Sequence, residues 1–143
     1  MTDTILCAID VNRPEPERKV LEWAARLAEV EGAQLDVITV IPDYGMSVVG
    51  GFFSGDHTEK ARAHAQELLR SYVGEILGEE MNAKVRHLVG VGTAYHEILS
   101  VASKDAADMI VLGAHRPDLS DYLLGPNAAR VVRHSNCSVL VVR

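Results

Sequence analysis

Two hydrophobic patterns alternate along this chain. Short, nearly unbroken apolar runs occupy residues 4–9, 34–41, 108–112 and 138–142, closed by Asp10, Pro42 and Gly113 in the first three cases. Runs of this length, rich in Val and Ile, predict strands covered on both faces. A further segment, residues 83–89, alternates polar and apolar positions and predicts a strand with one wet face near a sheet edge. Between the strands the apolar spacing changes to the helical period. Val20, Leu21, Ala24, Leu27 and Ala28 form one stripe, begun near Asn12 and Pro14 and stopped by Gly32. Ala61, Ala65, Leu68, Leu69, Tyr72 and Ile76 form another, on a helix over residues 56–77. Thr93 predicts an N-cap for a helix over residues 94–104, and residues 128–134 predict a short last helix.

Five strands alternating with four helices predict an α/β fold: a doubly wound five-stranded parallel sheet, order 3-2-1-4-5, with helices on both faces. In that order the chain reverses direction between strands 1 and 4, and ligands bind outside the carboxyl ends flanking such a reversal. Those ends are Asp10 and Gly113. The stretch Gly113-Ala114-His115-Arg116, followed by Gly125-Pro126-Asn127-Ala128, is a glycine-bounded loop between a buried strand and a helix start. Such a loop offers backbone N–H groups to an anion, helped by the helix dipole, and points to a nucleotide phosphate. It is neither a P-loop, lacking Gly-Lys-Ser/Thr, nor G-x-G-x-x-G.

Length and charge narrow the partners. The 143 residues suit a single domain over residues 1–143. A net charge of −6 argues against nucleic acid, whose backbone demands a basic footprint. No apolar run approaches a membrane span, and Met1-Thr2-Asp3 lacks the layout of a signal peptide, which predicts a cytoplasmic protein without membrane insertion. Cys7 and Cys137 sit in apolar runs without C-x-x-C spacing and read as reduced core cysteines. Residues 43–55 carry Gly45, Gly50, Gly51 and Gly55 beside Phe52-Phe53 and predict a mobile loop over the end of strand 2.

At these residues the chain resembles the universal stress protein family over its whole length. The resemblance is carried by Ile5-Leu6-Cys7-Ala8-Ile9-Asp10, Gly90-Val91-Gly92 and Asp108-Met109-Ile110-Val111-Leu112-Gly113-Ala114-His115-Arg116. It is tightest in Tyr122-Leu123-Leu124-Gly125, Val131-Val132-Arg133-His134 and Cys137-Ser138-Val139-Leu140-Val141-Val142. ATP-binding members have G-x2-G-x9-G-S/T at this loop. Here Arg116 replaces the second glycine, only eight residues intervene between it and Gly125, and Pro126 replaces the hydroxyl residue. The resemblance implies a cytoplasmic stress-response or signalling module that binds ATP, with or without Mg2+, and hydrolyses it slowly or not at all. Position by position, it implies adenosine-side contacts at Asp10 and Val40 and a ribose-side loop at Gly92. It implies a phosphate site of Gly113, His115, Arg116, Gly125, Asn127 and Ala128. It also implies pairing of the last strand, Val139, Leu140, Val141 and Val142, across a two-fold axis into a homodimer or a dimer of dimers. The regulated protein partner is not legible in the sequence.

Competing readings stand beside these. Asp10 is either an adenosine contact or the cap of its own turn. Arg116 either clamps phosphate bidentately or obstructs it, and His115 is either a phosphate neighbour or a solvated loop residue. His57 and His64 share a helix face without a third ligand and read as surface histidines, not metal ligands. Glu79-Glu80 read as a wet helix end. No nucleophile–base or paired-carboxylate arrangement follows from spacing. A nucleotide-free dimeric interaction protein and a weak ATPase remain the alternatives, since the loop lacks both a Mg2+-ligating Ser/Thr and a catalytic lysine.

Overall fold

The structure is a computed structural model describing residues 3–43, 55–114 and 126–143. Its elements run β1 (Thr4–Ala8), α1 (Pro14–Glu31), β2 (Gln34–Ile41), α2 (Gly55–Leu77), α3 (Glu79–Asn82), β3 (Arg86–Val91), α4 (Ala94–Lys104), β4 (Met109–Gly113), α5 (Pro126–His134) and β5 (Ser138–Val142). The strands form one sheet in the order β3-β2-β1-β4-β5, every pair parallel. This is the expected order. Pairing of β1 runs one residue beyond its end, because Ile9 N–H donates to Ile38 O at 3.0 Å.

Strand alternation divides the core into two layers. From β1, Ile5, Cys7 and Ile9 point into the layer shared with α1 and α2, beside Leu21, Ala24, Leu69 and Val73. Leu6 and Ala8 point the other way, into the layer shared with α4 and α5, beside Ile98, Ala102, Ala128 and Val131. Helices therefore cover both faces, and the central strands carry no wet face.

The helix ends follow local chemistry. Pro14 occupies the first turn of α1, where a missing N–H costs nothing. Gly32 takes φ 64 at its end, a left-handed conformation cheap only for glycine. Ala33 N–H closes that end on Ala28 O at 2.8 Å.

Five expectations need correction. The strand placed at residues 83–89 is Arg86–Val91, because the short α3, bearing Glu79-Glu80, uses Asn82 and delivers the chain to the sheet later. No clean alternation survives in β3, whose residues are mostly half-buried with α2 on one side and α4 on the other. On α2 the stripe is displaced: Leu68 is 40% exposed while Val73 is buried, since the face centres on Ala65, Leu69, Tyr72 and Val73. Thr93 is the N-cap residue of α4 but makes no side-chain capping bond. The last helix begins at Pro126, not Ala128. Cys7 is buried as expected, and burial pushes its thiol pKa far up. Cys137 is half-buried, with Ser135 Oγ 3.2 Å from its sulfur. The loop expected to be mobile, residues 43–55, lies for residues 44–54 outside the described residues.

Candidate functional site

β1 and β4 are neighbours whose onward connections leave to opposite sides, so their carboxyl ends part and leave a crevice. A cavity of about 200 Å³ opens there. Asp10, Val40, Gly113, Asn127 and Ala128, five of the expected site residues, line it together. Gly92 is not among its lining residues; it follows β3 and donates its N–H to Ile41 O at 2.9 Å. His115, Arg116 and Gly125 lie outside the described residues.

Each wall has a local cause. Asp10 is exposed just past β1, and its Oδ1 accepts the Asn12 N–H at 2.9 Å while its carbonyl accepts the Arg13 N–H at 3.0 Å. The turn-capping reading of Asp10 is therefore met, and the cap fixes the carboxylate at the cavity mouth. Gly113 is a matter of space: a Cβ there would lie 3.1 Å from Val20 Cγ2 and 3.6 Å from Glu17 Oε2. A Cβ would oblige Val20 to give by a few tenths of an ångström, so the bare backbone suits the close approach of α1 to the end of β4. Gly90 and Gly92 answer different needs. A Cβ on Gly90 would meet Glu97 Cβ at 3.0 Å, whereas Gly92 holds φ 129, which side chains disfavour. Glu97 Oε1 in turn accepts the Val91 N–H at 3.3 Å, tying the turn to α4. On the far wall Asn127 and Ala128 fall in the first turn of α5. Their N–H groups belong to the four that a helix cannot satisfy from within, at the positive end of its dipole.

Glu17 was missed in the sequence. It lies in phase with Val20, Leu21, Ala24 and Ala28, so the helix turns a carboxyl toward the sheet rather than to solvent. An acidic residue inside an apolar stripe was the available signal. Glu17 Oε1 accepts the Asp10 N–H at 3.0 Å. Burial pushes its pKa up to about 7; the Asp10 N–H bond opposes this, the Asp10 charge adds to it, and Arg13 opposes it again. Glu17, Arg13 and Gly113 also border a second cavity of about 560 Å³ between α1 and the ends of β4 and β5.

A second polar cluster lies away from the crevice. Asp36, fully buried early in β2, receives Arg86 Nε at 3.1 Å and Nη2 at 2.8 Å, and the same Nη2 lies 2.9 Å from Asp105 Oδ2. This clamp joins β2, β3 and the end of α4. Both His57 and His64 are exposed. Among the described residues no group of three His, Cys, Asp or Glu side chains is placed to hold a metal, and no helix is long and apolar enough to cross a membrane.

A sequence profile described as "Universal stress protein family" matches residues 1–143. The chain belongs to the universal stress protein family. Among curated relatives, Universal stress protein G of Escherichia coli O157:H7 is 31% identical over 146 residues, spanning all of both chains. The solved structure of MJ0577, from Methanocaldococcus jannaschii, superposes with a TM-score of 0.79 at 25% identity, covering 99% of this chain and 96% of that one. Two further family structures contain nucleotides. One, from Archaeoglobus fulgidus, is in complex with dAMP (TM-score 0.69, 21% identity, 99% and 98% covered). The other is a universal stress protein in complex with cAMP (TM-score 0.68, 20% identity, 99% and 97% covered).

Proposed function

We propose that this chain is a nucleotide-binding universal stress protein that takes ATP, with or without Mg2+, at the crevice between β1 and β4. It would serve as a cytoplasmic stress-response or signalling module that turns ATP over slowly or not at all. The observation that carries this is the convergence of Asp10, Val40, Gly113, Asn127 and Ala128 on one cavity whose far wall is the first turn of α5. A nucleoside suits the apolar interior formed by Ile38, Val40 and Ile98, with Asp10 at its mouth. Phosphates suit the N–H groups of Asn127 and Ala128 and the bare backbone of Gly113. Gly92, His115, Arg116 and Gly125 complete the site in this proposal. The dAMP and cAMP complexes of the two relatives support an adenine nucleotide as the ligand class.

Mass spectrometry of small molecules released from the denatured, purified chain tests the reading, followed by calorimetric titration with ATP and adenosine. Neither co-purified nucleotide nor titratable binding would leave the nucleotide-free interaction protein as the better account.

Self-association is the second part of the proposal. The two sheet edges differ. On β3 the outer carbonyls are covered by α2, with Gln66 Nε2 donating to His87 O at 3.0 Å and Arg62 Nη1 to Val89 O at 3.4 Å. Among the described residues no side chain makes a corresponding bond along β5, where Val139, Leu140 and Val141 are only half-buried. An apolar open edge favours a partner strand, so the chain is expected to pair through β5 as a homodimer or a dimer of dimers. A monomer in sedimentation at micromolar concentration would refute it.

A further inference from the structure

The nucleotide reading leaves one group at the crevice without a part. Glu17 sits where the two strand ends meet: its Oε1 holds the Asp10 N–H at 3.0 Å, and its Oε2 lies 3.6 Å from the position of a Cβ on Gly113. It lines both cavities that open at this point. Charged and titratable groups face it from every packed element. The buried Cys7 comes from β1 and the exposed Asp10 from just past it, with Arg13 from the turn before α1 and Glu15 and Lys19 from α1 itself. Tyr72 comes from α2, its hydroxyl donating to Pro14 O at 2.6 Å, and Arg143 follows β5. His115 and Arg116 lie outside the described residues.

With phosphates at Gly113, as proposed above, the Glu17 carboxyl stands beside the phosphate end of the bound nucleotide. Ionised, it repels a phosphate. Protonated, the same oxygen donates a charge-assisted hydrogen bond. We propose that Glu17 is a specificity-determining residue of this site, taking up one proton from solvent when a phosphate-bearing ligand binds. The chain thereby couples nucleotide affinity to pH and favours ligands of low phosphate charge. The inference rests on the nucleotide reading above. Its proton balance is simple: one solvent proton joins a Glu17 oxygen, and no covalent bond of the ligand changes. Near neutrality the group stands ready for this, because burial holds its pKa at about 7.

The test is calorimetric titration of the whole chain with cAMP and with adenosine between pH 5.5 and 8.5, in buffers of different ionisation enthalpy. The single phosphodiester charge of cAMP does not titrate in this range, so any proton taken up belongs to the protein. Wild type is expected to bind cAMP about ten-fold more weakly at pH 8 than at pH 6, the change in protonated fraction of a group titrating near 7. At pH 7 it should take up about half a proton per cAMP and none per adenosine. Glu17→Gln, which resembles the protonated carboxyl, should hold nearly the wild-type pH 6 affinity at both pH values.

Equal pH dependence in wild type and variant would assign the proton to another group, such as His115, and overturn the proposal. Zero proton uptake by wild type would overturn it without reference to the variant. Binding of both ligands with flat pH profiles would remove the Glu17 role and leave the nucleotide site standing. Failure of wild type to bind either ligand would remove both.

Discussion

Replacing Arg86 by Met tests how charge holds the far end of the sheet. Asp36 and Arg86 are register partners on β2 and β3, so pairing itself brings them together. Asp36 is 0% exposed and takes two bonds from the guanidinium, at 2.8 and 3.1 Å. Burial raises its pKa most, the Asp105 carboxyl raises it further, and Arg86 is the influence that lowers it. Arg86→Met keeps most of the stem and removes the cation, leaving two carboxylates facing one another. Breaking a fully buried pair costs about 3–5 kcal/mol. The Arg86 side chain is 55% exposed, so water softens the loss to about 2–3 kcal/mol.

The pH dependence follows from the sign. In the variant the folded-state pKa of Asp36 lies above its unfolded value, so the charged form opposes folding. The penalty is full well above the folded pKa and vanishes as pH falls through it toward the unfolded value. Urea denaturation is expected to show the full loss at pH 8 and less than about 1 kcal/mol at pH 4.5, with unchanged m. Adding Asp36→Asn to the variant should restore more than half of the loss at pH 8. Equal destabilisation at both pH values would show that Arg86 acts by packing, and the charge argument would fail.

The remaining expectations concern the site. Glu17→Gln should stabilise the ligand-free protein at pH 8 and not at pH 4.5: a folded pKa of about 7 against 4.5 unfolded penalises folding increasingly between those values and fully above them. The ceiling is about 3 kcal/mol, reduced to roughly 1–2 kcal/mol for a carboxyl that water partly reaches, and a lower melting temperature for the variant at pH 8 would contradict it. Gly92→Ala should lower Tm by roughly 4–8 °C, since φ 129 strains any side chain by about 1–3 kcal/mol even though the nearest side-chain atom, Glu97 Cγ, is an ordinary 4.0 Å from the added Cβ; an unchanged melting curve would mean that the turn relaxes. Arg116 is the one permanently charged basic residue between Gly113 and Ala129, so Arg116→Ala should weaken ATP by about 1.5–3 kcal/mol and leave adenosine nearly untouched. Tighter ATP binding by that variant would mean that Arg116 obstructs the site.

Sequence by itself determined the fold and the place of the crevice. Runs of Val and Ile at strand length, separated by stripes of helical period, admit few arrangements once crossovers must be right-handed. The carboxyl ends of strands 1 and 4 then fall at Asp10 and Gly113 without any side-chain detail. Tertiary structure decided the rest. Glu17 reads along the chain as an acidic residue suited to a helix start. Its role at the crevice appears only when Gly113 lets α1 close on β4. Asp36 and Arg86 lie fifty positions apart, and register alone makes one the partner of the other. Gly90 and Gly92 look alike in sequence, yet one is required by the approach of Glu97 and the other by its own backbone angle. Periodicity records which way a residue faces along its own element. Charge, spacing and strain at a site depend on what a different element brings against it.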